Sequence, residues 1–154
     1  MSEKKELKVK SIRNGTVIDH IRHNRAANVL SMLNLPDDET PIMVAINVES
    51  PNMGKKDIIK IEGRELSEEE VDKLVLLAPQ ASVNIIREYE IANKFNLHLT
   101  DEVVDVVKCS NPNCISNSNE PIQDKFYVQE KEPIILRCHY CERTMDYEDI
   151  ESQF

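Results

Sequence analysis

Pro41-Ile42-Met43-Val44-Ala45-Ile46-Asn47-Val48, then a Pro51-Asn52-Met53-Gly54 turn, then Asp57-Ile58-Ile59-Lys60-Ile61-Glu62, is the stretch on which the fold depends. The first run has apolar side chains on both parities, the pattern of a strand covered on both faces, and the last reads as its hairpin partner. Toward the N-terminus, Ala26, Val29, Leu30 and Leu33 recur at i, i+3, i+4 and i+7 and stop at Asn34-Leu35-Pro36, which predicts a short amphipathic helix. Before it, Leu7-Lys8-Val9-Lys10 alternates, Asn14-Gly15 offers a turn and Thr16-Val17-Ile18 is β-branched, so the chain begins extended. On the other side, Ser67-Glu68-Glu69-Glu70 is a capping box, with Leu66 and Val71 at the staple positions. Val71, Leu74, Val75 and Ala78 make the expected buried stripe of this second helix, and Pro79 ends it. Ala81 to Ile91 is strand-like again, and Leu97-His98-Leu99 offers a last extended piece. The order β-α-β-β-α-β predicts an α+β protein with a ferredoxin-like antiparallel sheet and two helices on one of its faces.

A chain of 154 residues suits one domain or two small ones. Hydrophobic residues at 40% and charged residues at 31% describe a soluble globular protein. Neither a membrane-spanning run nor an export signal is visible, so a cytoplasmic protein is expected. The net charge of -9 has the wrong sign for gripping a phosphate backbone, which argues against nucleic acid as a partner. That charge is unevenly spread: residues 1–100 carry 14 basic and 16 acidic side chains, residues 101–154 carry 5 and 12. All four cysteines lie in the acidic part, so a boundary is expected near residue 100.

Cys109 and Cys114 have four residues between them, Cys138 and Cys141 have two, and 23 residues separate the pairs. Two short knuckles joined by a β-rich loop are what a tetrahedral four-thiolate zinc centre requires. The region has few large apolar residues (Phe126, Val128, Ile134, Ile135, Leu136), so a structural Zn2+ would make up for a scarce core. Two disulfides are the alternative, disfavoured without an export signal. Catalytic zinc is disfavoured because four thiolates leave no open position. His139, inside the last knuckle, reads as exposed rather than as a fifth ligand. Zinc ribbons that bind nucleic acid are basic, whereas this one is acidic, so its expected partner is another protein.

Gly54 with Lys55, Lys56 and Lys60 suggests phosphate binding only superficially, since no second glycine and no Ser or Thr complete a P-loop. Asp19-His20 could be an acid/base pair, but no nucleophile is readable beside it, and a capping Asp with a surface His remains the plainer reading.

Five literal strings decide more than the periodicities. Gly15-Thr16-Val17-Ile18-Asp19-His20-Ile21, Gly54-Lys55-Lys56-Asp57-Ile58-Ile59-Lys60-Ile61-Glu62, Ala78-Pro79-Gln80-Ala81-Ser82-Val83-Asn84, Cys109-Ser110-Asn111-Pro112-Asn113-Cys114-Ile115 and Cys138-His139-Tyr140-Cys141-Glu142, in that order over nearly the whole chain, resemble the regulatory chains of aspartate carbamoyltransferase. The resemblance implies a non-catalytic regulatory subunit in pyrimidine biosynthesis. Residues 1–100 would bind CTP, UTP and ATP and pair with a second regulatory chain, while residues 101–154 would hold zinc and dock on the catalytic chain. Carried over residue by residue, Asp19 and His20 would lie near the sugar and phosphates, Lys60 at the base and sugar, and Lys94 on the phosphates, with Lys56 as a further phosphate donor. Ile12, Val17, Asn84, Ile86, Tyr89 and Ile91 would form the wall that recognises the base, in part through backbone groups. Asn84 and Ile86 share a strand parity that Tyr89 and Ile91 do not, so if all four face the ligand the strand must break or bulge between Ile86 and Tyr89.

Overall fold

The computed structural model describes residues 11–154. The alternating Leu7-Lys8-Val9-Lys10 segment lies outside them. Strand β1 (Gly15–Arg22) leads to helix α1 (Ala26–Met32), the hairpin β2 (Ile42–Ser50) and β3 (Gly54–Glu62), helix α2 (Glu68–Leu77), and a second hairpin, β4 (Ser82–Arg87) and β5 (Glu90–Asn96). These five strands form one antiparallel sheet in the order β2-β3-β1-β4-β5. A second antiparallel sheet follows, β6 (Glu102–Val104), β7 (Lys125–Lys131), β8 (Ile134–Cys138) and β9 (Thr144–Met145), and the chain closes with the short helix α3 (Tyr147–Glu151). The ferredoxin-like α+β class is therefore present, with one strand more than the sequence pattern predicts. No described helix is long and apolar enough to cross a membrane.

Local signals explain most of these elements. Ser67 caps α2 through its side chain, and Glu70 returns the bond to the Ser67 N–H, the reciprocal capping box expected of that run. The buried set of α2 is Leu74, Leu76 and Leu77, while Val71 and Val75 are only half-buried, which corrects the expected stripe. Leu76, outside the expected stripe, is buried because it lines, with Ile134 and Tyr147, the seam with the second unit. Gly15 marks a close backbone approach: a Cβ there would meet the Ile61 carbonyl oxygen at 2.0 Å.

Three further expectations need correction. Ala81 to Ile91 is not one strand. Glu88 and Tyr89, both at positive φ, turn the chain back between β4 and β5, a tight hairpin that two non-glycine residues adopt and that composition does not announce. Leu97-His98-Leu99 is not a strand, because β5 has already used the available sheet edge up to Asn96. Finally, β2 is not covered on both faces. It is an edge strand whose Val44 and Ile46 are exposed, at 38% and 54%.

One buried carboxylate ties the first sheet to α1. Asp57 on β3 has no exposed surface, and its two oxygens accept from the Ala26 N–H at the start of α1 and the Asn47 N–H on β2, each at 3.0 Å. Irregularities in β1 between Ile18 and Ile21 and in β2 between Ala45 and Val48 flank it, with His20 and Asn47 at φ near 60°. Asp57→Asn replaces one acceptor by a donor facing a buried N–H. It should lower stability by about 1 to 2 kcal/mol, read as a reduced urea midpoint at unchanged slope.

Candidate functional site

On the sheet face opposite α1 and α2, register aligns four side chains from four consecutive strands. Lys60 on β3 pairs with Val17 on β1, Val17 with Asn84 on β4, and Asn84 with Lys94 on β5. Directly paired residues point to the same side of a sheet, so these four form a row across it. The intervening residues Ile18, Ile59, Val83 and Ile85 point the other way and are buried under the helices. One step along, Ile86 pairs with Ile91. A register shift in the β4–β5 ladder, with Ala92 unpaired, lets Ile91 and Lys94 share a face despite their odd spacing. The break demanded by parity is thus a turn at Glu88-Tyr89 followed by a bulge.

Charge gathers at the β1 side of this row. Asp19 accepts from Lys56 Nζ at 3.0 Å and from the His20 N–H at 2.6 Å. His20, held in the left-handed region, directs its Nδ1 to Ser82 Oγ at 3.1 Å. Burial holds the Lys60 ammonium below the usual lysine range, with the Asp19 charge opposing. Asn84 Oδ1 is buried with no hydrogen-bond partner among the described residues, as is Asp124 Oδ1 in the second unit, and such an atom calls for a partner from water, an ion or a ligand.

The wall residues fall into two groups. Val17, Asn84, Ile86 and Ile91 share the open face with Lys60 and Lys94. Tyr89 sits at the hairpin tip, 67% exposed, and lines a cleft of about 500 Å³ with Ser11, Arg13, Asn14 and Glu62. Its N–H donates to the Arg13 carbonyl at 2.9 Å, which ties the tip to the segment before β1. Ile12 is buried and 3% exposed, so it offers backbone rather than side-chain surface. Ser82 is the contact that sequence reading misses, since a lone serine opening a strand carries no signal.

The cysteine cluster lies in the second unit. The sulfurs of Cys109, Cys114, Cys138 and Cys141 all lie within 4.8 Å of one another. Cys109 to Cys141 and Cys114 to Cys138 are each 3.6 Å apart. A disulfide would need about 2.05 Å, whereas four thiolates at about 2.3 Å around one tetrahedral ion stand about 3.8 Å apart. The residues therefore fit a four-sulfur metal ion. Backbone turns aim them: Cys114 closes a turn through its N–H to the Asn111 carbonyl. Cys138, at the end of β8, bonds through its own N–H to the Arg143 carbonyl and through its carbonyl to the Glu142 N–H. Asn117, unmarked in the sequence, holds the carbonyls of Cys109 and Asn111 together with its side-chain amide. His139 is exposed and engaged at Nδ1 with Tyr127 Oη, 2.7 Å away, outside the sulfur set.

Burial pushes the metal-free Cys109 thiol up to about 12 and raises that of Cys138 as well. Burial acts the same way on Cys141 but is outweighed by bonds from the Arg143 N–H, Asn111 and the neighbouring thiols, which bring it down to about 7. Loading a cation must therefore displace protons, and four thiolates form only with it.

Residues 7–98 match the family described as aspartate carbamoyltransferase regulatory chain, allosteric domain, and residues 101–151 match the corresponding metal binding domain. The chain is 74% identical over 151 residues, 98% of its own length and 99% of the relative's, to a protein of Methanosphaera stadtmanae named aspartate carbamoyltransferase regulatory chain. Relatives of the same name from Methanothermobacter thermautotrophicus and Pyrococcus furiosus are 53% and 50% identical, covering 97% and 94% of this chain and 96% of each relative. Two family matches side by side, the second over the four-sulfur cluster, and relatives of one name along nearly the whole chain place it among the regulatory, non-catalytic subunits of aspartate carbamoyltransferase.

Proposed function

We propose that residues 1–100 bind CTP, UTP and ATP on the open face of the five-stranded sheet, and that residues 101–154 hold one structural Zn2+ and dock on the catalytic chain of the cytoplasmic enzyme. Nucleotide binding then alters the catalytic chains' response to aspartate in pyrimidine biosynthesis. The observation that carries this reading is the cross-strand row Lys60, Val17, Asn84 and Lys94, with a buried, unpartnered amide oxygen at its centre and lysines toward both sides. A polyphosphate needs charge-assisted donors, supplied by Lys94, by Lys56 and by His20 when protonated. The base needs a flat apolar wall with few polar groups. Val17, Ile86 and Ile91 supply the wall, the Asn84 oxygen accepts from the exocyclic amine of cytosine or adenine or from the N3–H of uracil, and the backbone near Ile12 and Tyr89 adds further contacts. Asp19 restrains Lys56 and, with Lys60, is left to meet the sugar.

Zinc is the metal favoured by four thiolates in tetrahedral array, and it would supply rigidity without an open coordination position. The exposed Val44 and Ile46 on edge strand β2 suit pairing with a second regulatory chain. Coupling between sites on different chains is typically about 1 to 3 kcal/mol, or roughly 5- to 150-fold in affinity. Saturating CTP or ATP should therefore shift the aspartate saturation curve of the holoenzyme and leave that of the isolated catalytic trimer unchanged. Superimposable holoenzyme curves with and without nucleotide would sink the proposal.

A further inference from the structure

The two units meet along a seam with two kinds of polar tie. On the helix side, Arg25 stacks on Tyr147 at 3.7 Å, Asn28 donates to Tyr147 Oη at 3.2 Å, and Ser31 Oγ donates to the Phe154 carbonyl at 2.7 Å. On the strand side, the tie converges on one carboxylate. Glu132, at the tip of the β7–β8 hairpin, accepts from Arg22 Nη1 at 3.0 Å and from Gln80 Nε2 at 2.9 Å.

The positions of these two donors matter. Arg22 ends β1 two residues after His20, and Gln80 lies in the α2–β4 turn two residues before Ser82. His20 and Ser82 are themselves joined at 3.1 Å. A single contact beside the nucleotide face is thus bracketed by the two side chains that grip Glu132. On the far side, Glu132 leads through Pro133 into β8, whose last residue is Cys138 of the sulfur cluster. Beneath this tie Arg25, Leu76, Ile134 and Tyr147 leave a void of only about 20 Å³, while the tie itself is half-exposed, Arg22 at 48% and Glu132 at 55%, and borders a cleft of about 430 Å³ that Arg22, Gln80 and Glu132 line with Lys55. Two donors from different elements grip one short carboxylate above closely packed residues, so a displacement of either donor is handed to Glu132.

From this arrangement we infer that Glu132 is a positioning residue for allosteric coupling. A ligand that changes the His20–Ser82 contact moves Arg22 and Gln80 relative to each other, and the Glu132 carboxylate passes that movement to β8 and the metal-bearing unit. The inference rests on the proposed nucleotide site but adds a route that the site does not require, because the hydrogen bonds of Glu132 among the described residues go to Arg22 and Gln80, neither of them on the ligand face. The helix-side ties to Tyr147 and Phe154 hold the units together and leave assembly independent of Glu132.

The test uses the reconstituted holoenzyme with Glu132→Gln and Glu132→Ala regulatory chains, together with the exchange Arg22→Glu/Glu132→Arg. Three quantities are read: nucleotide affinity by calorimetry, holoenzyme size by gel filtration, and the ratio of aspartate half-saturation with and without saturating CTP. Size and CTP affinity should stay within twofold of wild type, while Glu132→Ala brings the CTP-induced ratio at least halfway back to one. The exchange, which restores opposite charges at the seam, should recover most of the ratio, and a purely structural role for Glu132 gives no reason for such recovery at constant affinity. Glu132→Ala with an unaltered ratio overturns the inference while leaving the nucleotide site standing. Loss of CTP affinity equal to the loss of ratio also overturns it, since Glu132 would then act on binding. A wild-type chain that binds no nucleotide removes the proposed function itself.

Discussion

Cys114→Ser, or removal of the metal by a thiol reagent, should release the catalytic chains while the regulatory chain still binds CTP. The metal-bearing unit contributes few buried apolar side chains, chiefly Val103, Val107, Phe126, Ile134, Leu136, Met145 and Ile150, and they run on into the core of the five-stranded unit. Structural zinc contributes an apparent binding energy of about 10 to 16 kcal/mol to peptides of this kind, as large as the whole stability of an ordinary domain. With one ligand gone, Cys114 no longer anchors its loop against Cys138, and the unit from about residue 101 onward should unfold. The five-stranded sheet keeps its two helices, its buried Asp57 tie and its core of Ile18, Ile59, Ile61, Leu74, Leu77 and Val83. It loses the cover over Leu76 and the Arg25–Tyr147 stack, so its melting temperature should fall without its fold being lost. Gel filtration with catalytic trimer and a CTP titration on the same sample decide the matter. Normal assembly of Cys114→Ser, or complete loss of CTP binding, would contradict the separation of roles between residues 1–100 and 101–154.

Lys94→Ala should weaken CTP, UTP and ATP together by roughly tenfold to a hundredfold, because a charge-assisted bond to phosphate is worth about 1.5 to 3 kcal/mol and every triphosphate makes it. Lys94 is exposed on edge strand β5, so the substitution should leave the sheet intact. Tyr89→Ala removes an exposed ring at the hairpin tip and should instead change the ratio of ATP to CTP affinity, since purine and pyrimidine cover different lengths of the wall. Calorimetric titration of both nucleotides into both variants separates the two roles. Equal ATP to CTP ratios in the two variants would show that phosphate and base contacts are not divided in this way.

What the sequence determines by itself follows from interactions between near neighbours. The capping box at Ser67 and Glu70, the α1 periodicity, the β2–β3 hairpin and the two cysteine knuckles each lie within a few residues, so local rules suffice to read them. The five motifs in register carry the family for the same reason. Tertiary structure alone decides which partners share a face across strands. Lys60, Val17, Asn84 and Lys94 are spread over 78 positions and become a row only when the order β3-β1-β4-β5 and the bulge at Ala92 set their registers. The left-handed Glu88-Tyr89 turn is similarly invisible, because neither residue favours positive φ and their conformation is imposed by Tyr89 N–H bonding to Arg13 and by Asn14 Oδ1 accepting from the Glu88 N–H. The apolar parities of β2 give no hint that it is an edge, since composition records how apolar a strand is and only the sheet order settles what lies beside it. Glu132 meets Arg22 and Gln80 across 110 and 52 positions of sequence, a contact that exists only because two separately patterned units pack side by side.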